Sequence, residues 1–173
     1  MMEIRHATVQ DLDAMMEIYA YAREFMAATG NAKQWGATNW PPKLLIEKDI
    51  ENGDSYLCVD SEKILAVFYY KYGKDIDPCY LQIEGGAWLD DSPYGVIHRI
   101  ASAKGTKGAG TFCINWAFEQ CGHLRIDTHG DNIVLQNLLK KLGFTYCGVI
   151  HIVEDNDPRL AFEKTNLTDE VES

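Results

Sequence analysis

The sequence predicts an α+β fold, a mixed α/β sheet with helices packed on both of its faces. Three observations carry this. The first internal strand-like runs are adjacent and joined by a short polar loop, as in a hairpin. Later strand-like runs alternate with helical patterns, as in a sheet that acquires crossover helices. The chain has 173 residues, 46% of them hydrophobic, with four tryptophans, which suits one sizeable core and argues against disorder.

The elements follow in order. Thr8 with Asp11 three residues later resembles a capping box. Leu12, Met15, Met16, Tyr19, Ala22, Phe25 and Met26 then trace one helical face, and Gly30 stops it. Pro41-Pro42 opens a second helix carrying Leu44, Leu45 and Ile50, which Gly53 closes. Strands are expected near 56–59 and 64–72, with the polar residues 60–63 as their hairpin loop. Residues 75–78 read as a loop. Tyr80, Gln82 and Glu84 alternate with Leu81 and Ile83 like a strand, ended by Gly85-Gly86. Asp90-Asp91-Ser92-Pro93 is a turn. The pattern then gives strand 96–102, helix 110–121, strand 124–128, helix 133–142, strand 144–153 and strand 160–164. The tail 165–173 is acidic and expected to fray. Neither a repeat nor a linker interrupts the pattern, so one domain over 1–173 is expected.

The segment Ile97 to Thr111 is the most informative. An apolar strand enters a loop with Gly105, Gly108 and Gly110 and two lysines, Lys104 and Lys107, and a helix follows. Strand, glycine-rich loop and helix present backbone N–H groups to a phosphate, and the helix N-terminus adds partial positive charge. A mobile surface loop is the competing reading. A P-loop is disfavoured because Thr111-Phe112 stand where Lys-Ser/Thr is required. A dinucleotide fingerprint is disfavoured because the glycine spacing runs in reverse and lies mid-chain.

A second segment narrows the choice. Leu124 to Thr128 reads as a buried strand; Asn132 follows, then Leu135, Leu138, Leu139 and Leu142 at helical spacing, then Gly143-Phe144. With Gly108-Ala109-Gly110, these residues resemble the GCN5-related N-acetyltransferase (GNAT) family, whose cofactor motif ends in Gly-x-Gly/Ala and whose later motif is Asn, helix, Gly-Phe. The opening Ile4 to Leu12 looks like the family's first strand and helix start. Gln34-Trp35, Trp40-Pro41, Trp88-Leu89, Tyr94 and His98 to Ala101 resemble a bacterial branch of it. The resemblance spans residues 3 to about 164. It implies an acyl-CoA N-acyltransferase-like, mostly antiparallel sheet and acetyl-CoA as co-substrate. It also implies transfer of an acetyl group to a primary amine of a small molecule or peptide. The chain departs from the pattern at Gly105, where the family has Gln/Arg, and at Thr106, where a Gly is usual. Leu139 stands where the family often has a tyrosine general acid. A non-catalytic acyl-CoA-binding module is therefore the alternative function.

Composition bounds the partners. The net charge of −10 argues against unassisted nucleic-acid binding, which needs a basic face, and is compatible with cationic amine substrates. No apolar run approaches the ~20 residues that span a bilayer. No signal peptide is visible, and five scattered cysteines read as reduced, buried thiols, so a cytoplasmic location is expected. No paired Cys-x-x-Cys accompanies Cys121, His123 and His129, so no metal is expected. A homodimer is compatible with the sequence.

Acetyl transfer needs a neutral amine, a hydrogen-bond donor where charge develops on the thioester carbonyl, and an exit for the thiolate. The resemblance places the donor on the backbone of Ile100, Ala101 and Ser102, which also hydrogen-bonds the pantetheine arm. It places the pyrophosphate on Lys107, Gly108, Ala109, Gly110 and Thr111, with Asn132 reaching the cofactor. Asn132 also reads as a helix N-cap. For the base, Glu84 is the first choice, on a strand expected beside 96–102 and with open space at Gly85-Gly86. His98 is the second, since an imidazole value near 6.5 suits a base, with a core histidine as the plain reading. Arg99 faces the other side of that strand and needs a carboxylate, which makes Glu84 a competing ion-pair partner. Trp35, Trp88 and Tyr94, with Trp40, are either acceptor-pocket walls or loop anchors.

Overall fold

The structure, a computed structural model, describes residues 1–152 and 157–166. Strand β1 is Met2–His6, followed by helix α1, Leu12–Ala28, and helix α2, Lys43–Glu51. Strands β2, Ser55–Asp60, and β3, Lys63–Gly73, form the expected hairpin; its loop has no glycine, and Ser61 itself takes a φ of 56°. Then come β4, Tyr94–Ser102; α3, Ala109–Cys121; β5, His123–His129; α4, Ile133–Lys141; β6, Thr145–His151; and β7, Pro158–Thr165. The strands order as β1-β2-β3-β4-β5-β7-β6. Every neighbouring pair is antiparallel except β4 with β5. The mixed, mostly antiparallel sheet expected from the sequence is the sheet observed.

Side-chain alternation assigns the two faces. Cys58, Phe68 and Tyr70 pack with Cys113, Ile114 and Ala117 of α3 and with Leu139 of α4. Leu57, Val59 and Val67 pack with Met15, Ile18 and Tyr19 of α1 and Ile46 of α2. Helix starts follow the sequence signals. Asp11 accepts the Thr8 N–H at 2.8 Å, and the Arg5 guanidinium, bonded at 2.9 and 3.0 Å, holds the Asp11 carboxyl down at about 2. Asn132 accepts the Leu135 N–H at 3.0 Å and caps α4.

Two expectations need correction. The segment 80–84 is not a strand beside β4. Pro78–Leu81 is a 3-10 turn, with Asp77 as its cap accepting the Cys79 N–H at 2.8 Å and Pro78 opening the helical φ/ψ. Glu84 then makes a single bridge to Val149 of β6, at the far edge of the sheet. The expected strand 144–153 ends at His151; Val153 and residues 167–173 of the expected frayed tail lie outside the described residues. The five cysteines are free thiols.

Beneath the turn at 90–93 sits a buried charge cluster. Glu163 of β7 is 0% exposed. It accepts Arg125 Nε at 2.7 Å and also binds His123 Nε2 and the Leu89 N–H. The Arg125 guanidinium lies 4.1 Å from the ring centres of both Trp88 and Tyr94.

Candidate active site

A bulge in β4 creates the cleft. Tyr69 pairs with His98 and Val67 with Ala101, so two steps of β3 face three of β4. Arg99 absorbs the extra residue with a φ of 52°. That conformation is costly for a side chain this large, and long-range contacts hold it. Arg99 Nε and Nη2 bind Asp49 Oδ2 of α2 at 3.1 and 2.8 Å. Its guanidinium lies 4.6 Å from the Tyr69 ring centre, and its carbonyl accepts the Tyr19 hydroxyl at 2.9 Å. Burial raises the Asp49 carboxyl and the Arg99 charge opposes that rise, the pattern of a structural ion pair. The expected carboxylate partner of Arg99 is thus Asp49 rather than Glu84.

The bulge also switches the faces of β4 partway along its length. Ile97 packs toward α3 while Ala101 packs toward α1, although an unbroken strand would put residues four apart on one face. Beyond the bulge β4 leaves β5 altogether. The two strands pair only at Gly95 with Leu124 and Val96 with Arg125. The β5-facing edge of Ile97 to Ser102 is therefore unpaired in the sheet, and two pockets open along it.

The first pocket, about 260 Å³, holds the titratable groups. His98 Nε2 lies 2.8 Å from Asp77 Oδ2, and His98 Nδ1 lies 3.7 Å from Asp127 Oδ2. The Tyr80 hydroxyl donates to the same Asp127 oxygen at 2.6 Å. Burial pushes Asp77 up, but the His98 hydrogen bond and charge and the Cys79 N–H outweigh it, so its carboxyl is held below the usual range. Burial and the Asp127 and Asp77 charges push the Tyr80 phenol well above its usual value, so it stays a donor. With Nε2 on a carboxylate, a neutral His98 keeps its proton there and leaves Nδ1 free to accept one. Trp35, Trp40 and Tyr69 line the same pocket, and burial with the Asp54 charge raises the Tyr69 phenol to about 12.

The second pocket, about 230 Å³, runs between α1 and α4. Ile100, Ala101 and Ser102 line it with Gly105, Thr106 and Gly110. Gly108 caps α3 with a φ of 80°, so the first-turn N–H groups of Ala109, Gly110 and Thr111 have no intrahelical acceptor. The Thr106 hydroxyl is buried without a partner among the described residues. A Cβ at Gly110 would sit 3.7 Å from Leu138 Cδ2 and 4.0 Å from Ser102 Oγ, inside the channel. Lys107 is exposed beside the loop. Asn132, Ile100 and Leu135 line both pockets, so the two meet there. Asn132 Nδ2 donates to Gln34 Oε1 at 3.1 Å, and Asn31 Nδ2 donates to the same oxygen at 2.9 Å, which ties the Trp35 loop to α4.

Of the residues singled out from sequence, His98, Trp35, Ile100, Ala101, Ser102, Gly110 and Asn132 gather along this cleft. Glu84 does not: its side chain is 73% exposed and faces His151 at 3.4 Å. Trp88 and Tyr94 do not line either pocket; they sandwich Arg125, and Trp88 Nε1 donates to the Tyr80 carbonyl at 2.8 Å. They anchor the turn that carries Tyr80, which is the loop-anchor reading of those aromatics. Asp77 and Asp127 were missed. Asp77 looked like loop polarity, though Asp-Pro before an aromatic is a cap signal; Asp127 shares its strand with His123, Arg125, Thr128 and His129, so nothing in the local pattern set it apart.

Leu139 is 0% exposed and packed in the α3–α4 core, away from both pockets. Leu139→Met is a volume-conserving change costing under about 1.5 kcal/mol. The alkaline limb of the pH–rate profile should stay where it is; a moved limb in a folded variant would refute an inert Leu139.

Solved structures give the class of fold. Over 95% of both chains, the protein matches a GNAT-family acetyltransferase from Streptococcus agalactiae, with a TM-score of 0.85 and 29% identity. A putative acetyltransferase from Staphylococcus aureus matches over 94% of this chain and 97% of that one, with a TM-score of 0.67 and 24% identity. NAA60 of Arabidopsis thaliana, solved in complex with acetyl-CoA, matches over 95% and 99%, with a TM-score of 0.67 and 13% identity. No family model and no curated protein matches the chain. The chain has the GNAT acyltransferase fold, as the glycine loop and the Asn132 to Phe144 segment led one to expect. Among the described residues, no His, Cys, Asp and Glu group has the geometry to hold a metal ion, and no helix is long and apolar enough to cross a membrane.

Proposed function

We propose that the protein transfers an acetyl group from acetyl-CoA to a primary amine of a small molecule or peptide. The observation that carries this is the junction of the two pockets. A glycine-lined channel with free helix N–H groups runs along an unpaired strand edge and meets, at Ile100 and Asn132, a pocket holding an imidazole between two carboxylates.

The residues present fit the co-substrate. The Gly108 to Thr111 backbone supplies N–H donors at a helix N-terminus for a pyrophosphate. The buried Thr106 hydroxyl is an unused donor beside them. The open edge of Ile100, Ala101 and Ser102 suits a pantetheine arm added like a strand, with an N–H toward the thioester oxygen. Bound acetyl-CoA supplies an activated acyl group. The chain's own work is then at the amine. Asp77 orients the imidazole, His98 Nδ1 takes the ammonium proton, directly or through water, and Asp127 stabilises the charge that appears there. Tyr80 keeps Asp127 in place.

Thiol release from acetyl-CoA with a panel of amines tests the activity. Release with none, alongside tight CoA binding, would leave an acyl-CoA-binding module. The channel has its own test. Gly110 has an ordinary φ and room for a Cβ, so Gly110→Val should fold, yet its methyls enter the channel. CoA affinity by calorimetry should fall at least about tenfold, which is ~1.4 kcal/mol. Unchanged affinity would remove the channel assignment.

A further inference from the structure

Asp77, Asp127, Arg99 and Arg159 all line the first pocket, so charges of both signs meet there and charge alone does not choose an amine substrate. An uncharged residue of the same wall, Gln34, does more, and the direction of its amide follows from a helix cap. Asn132 uses its Oδ1 to accept the Leu135 N–H at 3.0 Å, so its Nδ2 faces the other way. What that Nδ2 meets at 3.1 Å has to be an acceptor, which fixes it as Gln34 Oε1. Asn31 Nδ2 donates to the same oxygen at 2.9 Å, and the Thr128 hydroxyl lies 3.5 Å from it. Three donors thus hold one end of the amide. The other end, Nε2 with two N–H groups, has no acceptor among the described residues. Gln34 is half-buried and lines the first pocket but not the second. Its unused donors therefore lie on the amine side of the junction rather than in the CoA channel.

Resting on the acetyl-transfer reading, we infer that the amine substrate carries a carbonyl oxygen, of an amide or of a carboxylate, and that Gln34 Nε2 donates to it while the amine faces His98 and Asp127. A bare alkylamine has the reacting nitrogen and lacks the oxygen. A site built to donate a hydrogen bond rejects such an analogue, because its N–H groups lose water on binding and gain no partner. Asn31, Asn132 and Thr128 hold the amide in one orientation before anything binds, so little ordering of that side chain remains to be done on binding.

Gln34→Glu separates this role from a structural one, since it keeps an oxygen for Asn31 and Asn132 and replaces only the two N–H donors. The test is calorimetric binding to CoA-loaded protein of glycinamide, β-alaninamide and 4-aminobutanamide, each beside the amino acid and the alkylamine of the same length. At one of these lengths the amide or the amino acid should bind at least about tenfold more tightly than the alkylamine, and the better of the two identifies the source of the oxygen. Gln34→Glu should abolish that preference. Alkylamine affinity should hold or rise beside the new carboxylate, and CoA affinity should stay the same. Thiol release from acetyl-CoA should follow the same ranking. Alkylamines binding as tightly as their counterparts at every length, an unchanged preference in folded Gln34→Glu, or no binding of any compound would overturn the inference. Thiol release equally fast with alkylamines would leave acetyl transfer standing and remove the carbonyl requirement. Preferential binding of the carbonyl compounds without thiol release would sustain the Gln34 site and overturn acetyl transfer instead. The wild-type ranking stands independently of whether Gln34→Glu folds.

Discussion

Replacing His98 with glutamine should lower kcat/KM for amine acetylation by about 10²–10⁴-fold, the usual worth of a positioned general base. Glutamine keeps a polar side chain for Asp77 and removes the proton acceptor, so folding and CoA affinity should hold. The acidic limb of kcat/KM against pH should vanish with it. Glu84→Gln should leave both rate and limb unchanged, because Glu84 lies at the far edge of the sheet and is 73% exposed. Persistence of the limb in His98→Gln would mean that the acceptor arrives neutral and that His98 serves only to shape the pocket. A limb lost in Glu84→Gln would instead restore the choice that strand alternation suggested.

The largest loss of stability is expected from Glu163→Ala. Removing one partner of a buried charge cluster typically costs about 3–5 kcal/mol, since the cations left behind have no counterion. Here Arg125, 5% exposed, would lose its counterion, and His123, 3% exposed, would lose its hydrogen-bond partner. The cluster also sets a pH dependence. Burial pushes the Glu163 carboxyl up, and the hydrogen bonds from His123, Arg125 and the Leu89 N–H outweigh it, so its folded value lies below the unfolded one. A carboxyl depressed on folding contributes stability above its unfolded value, near 4.3, and that stability is lost as pH falls through the folded value. Thermal melts of the wild type should therefore drop on acidification below about pH 4 more steeply than those of Glu163→Gln. Parallel curves would show that Glu163 does not carry this linkage.

Much of the fold was legible because its signals are local. The Thr8–Asp11 cap, the Pro41-Pro42 helix opening, the α4 cap at Asn132 and the glycine loop each specify a backbone geometry within a few residues. The strand at 80–84 failed for a reason equally local: Asp77 and Pro78 build a 3-10 turn, and Tyr80 is buried against Asp127 while Leu81 is 64% exposed, so the alternation there was accidental. Placing Glu84 beside β4 inherited that error.

The sequence by itself determined the order of the helices and of every strand but the false one at 80–84, the two-faced sheet, the glycine loop with its free N–H groups, and His98 as a titratable group next to it. Only the tertiary structure decided the bulge at Arg99, the divergence of β4 from β5, and the meeting of Asp77, His98 and Asp127. The physical reason is sequence separation. Arg99 holds its left-handed backbone through Asp49, fifty residues earlier, and Asp127 reaches the site only through the register of a parallel strand. Such contacts leave no periodic trace in either partner's own segment, whereas caps, turns and amphipathic faces are written within a few residues of where they act.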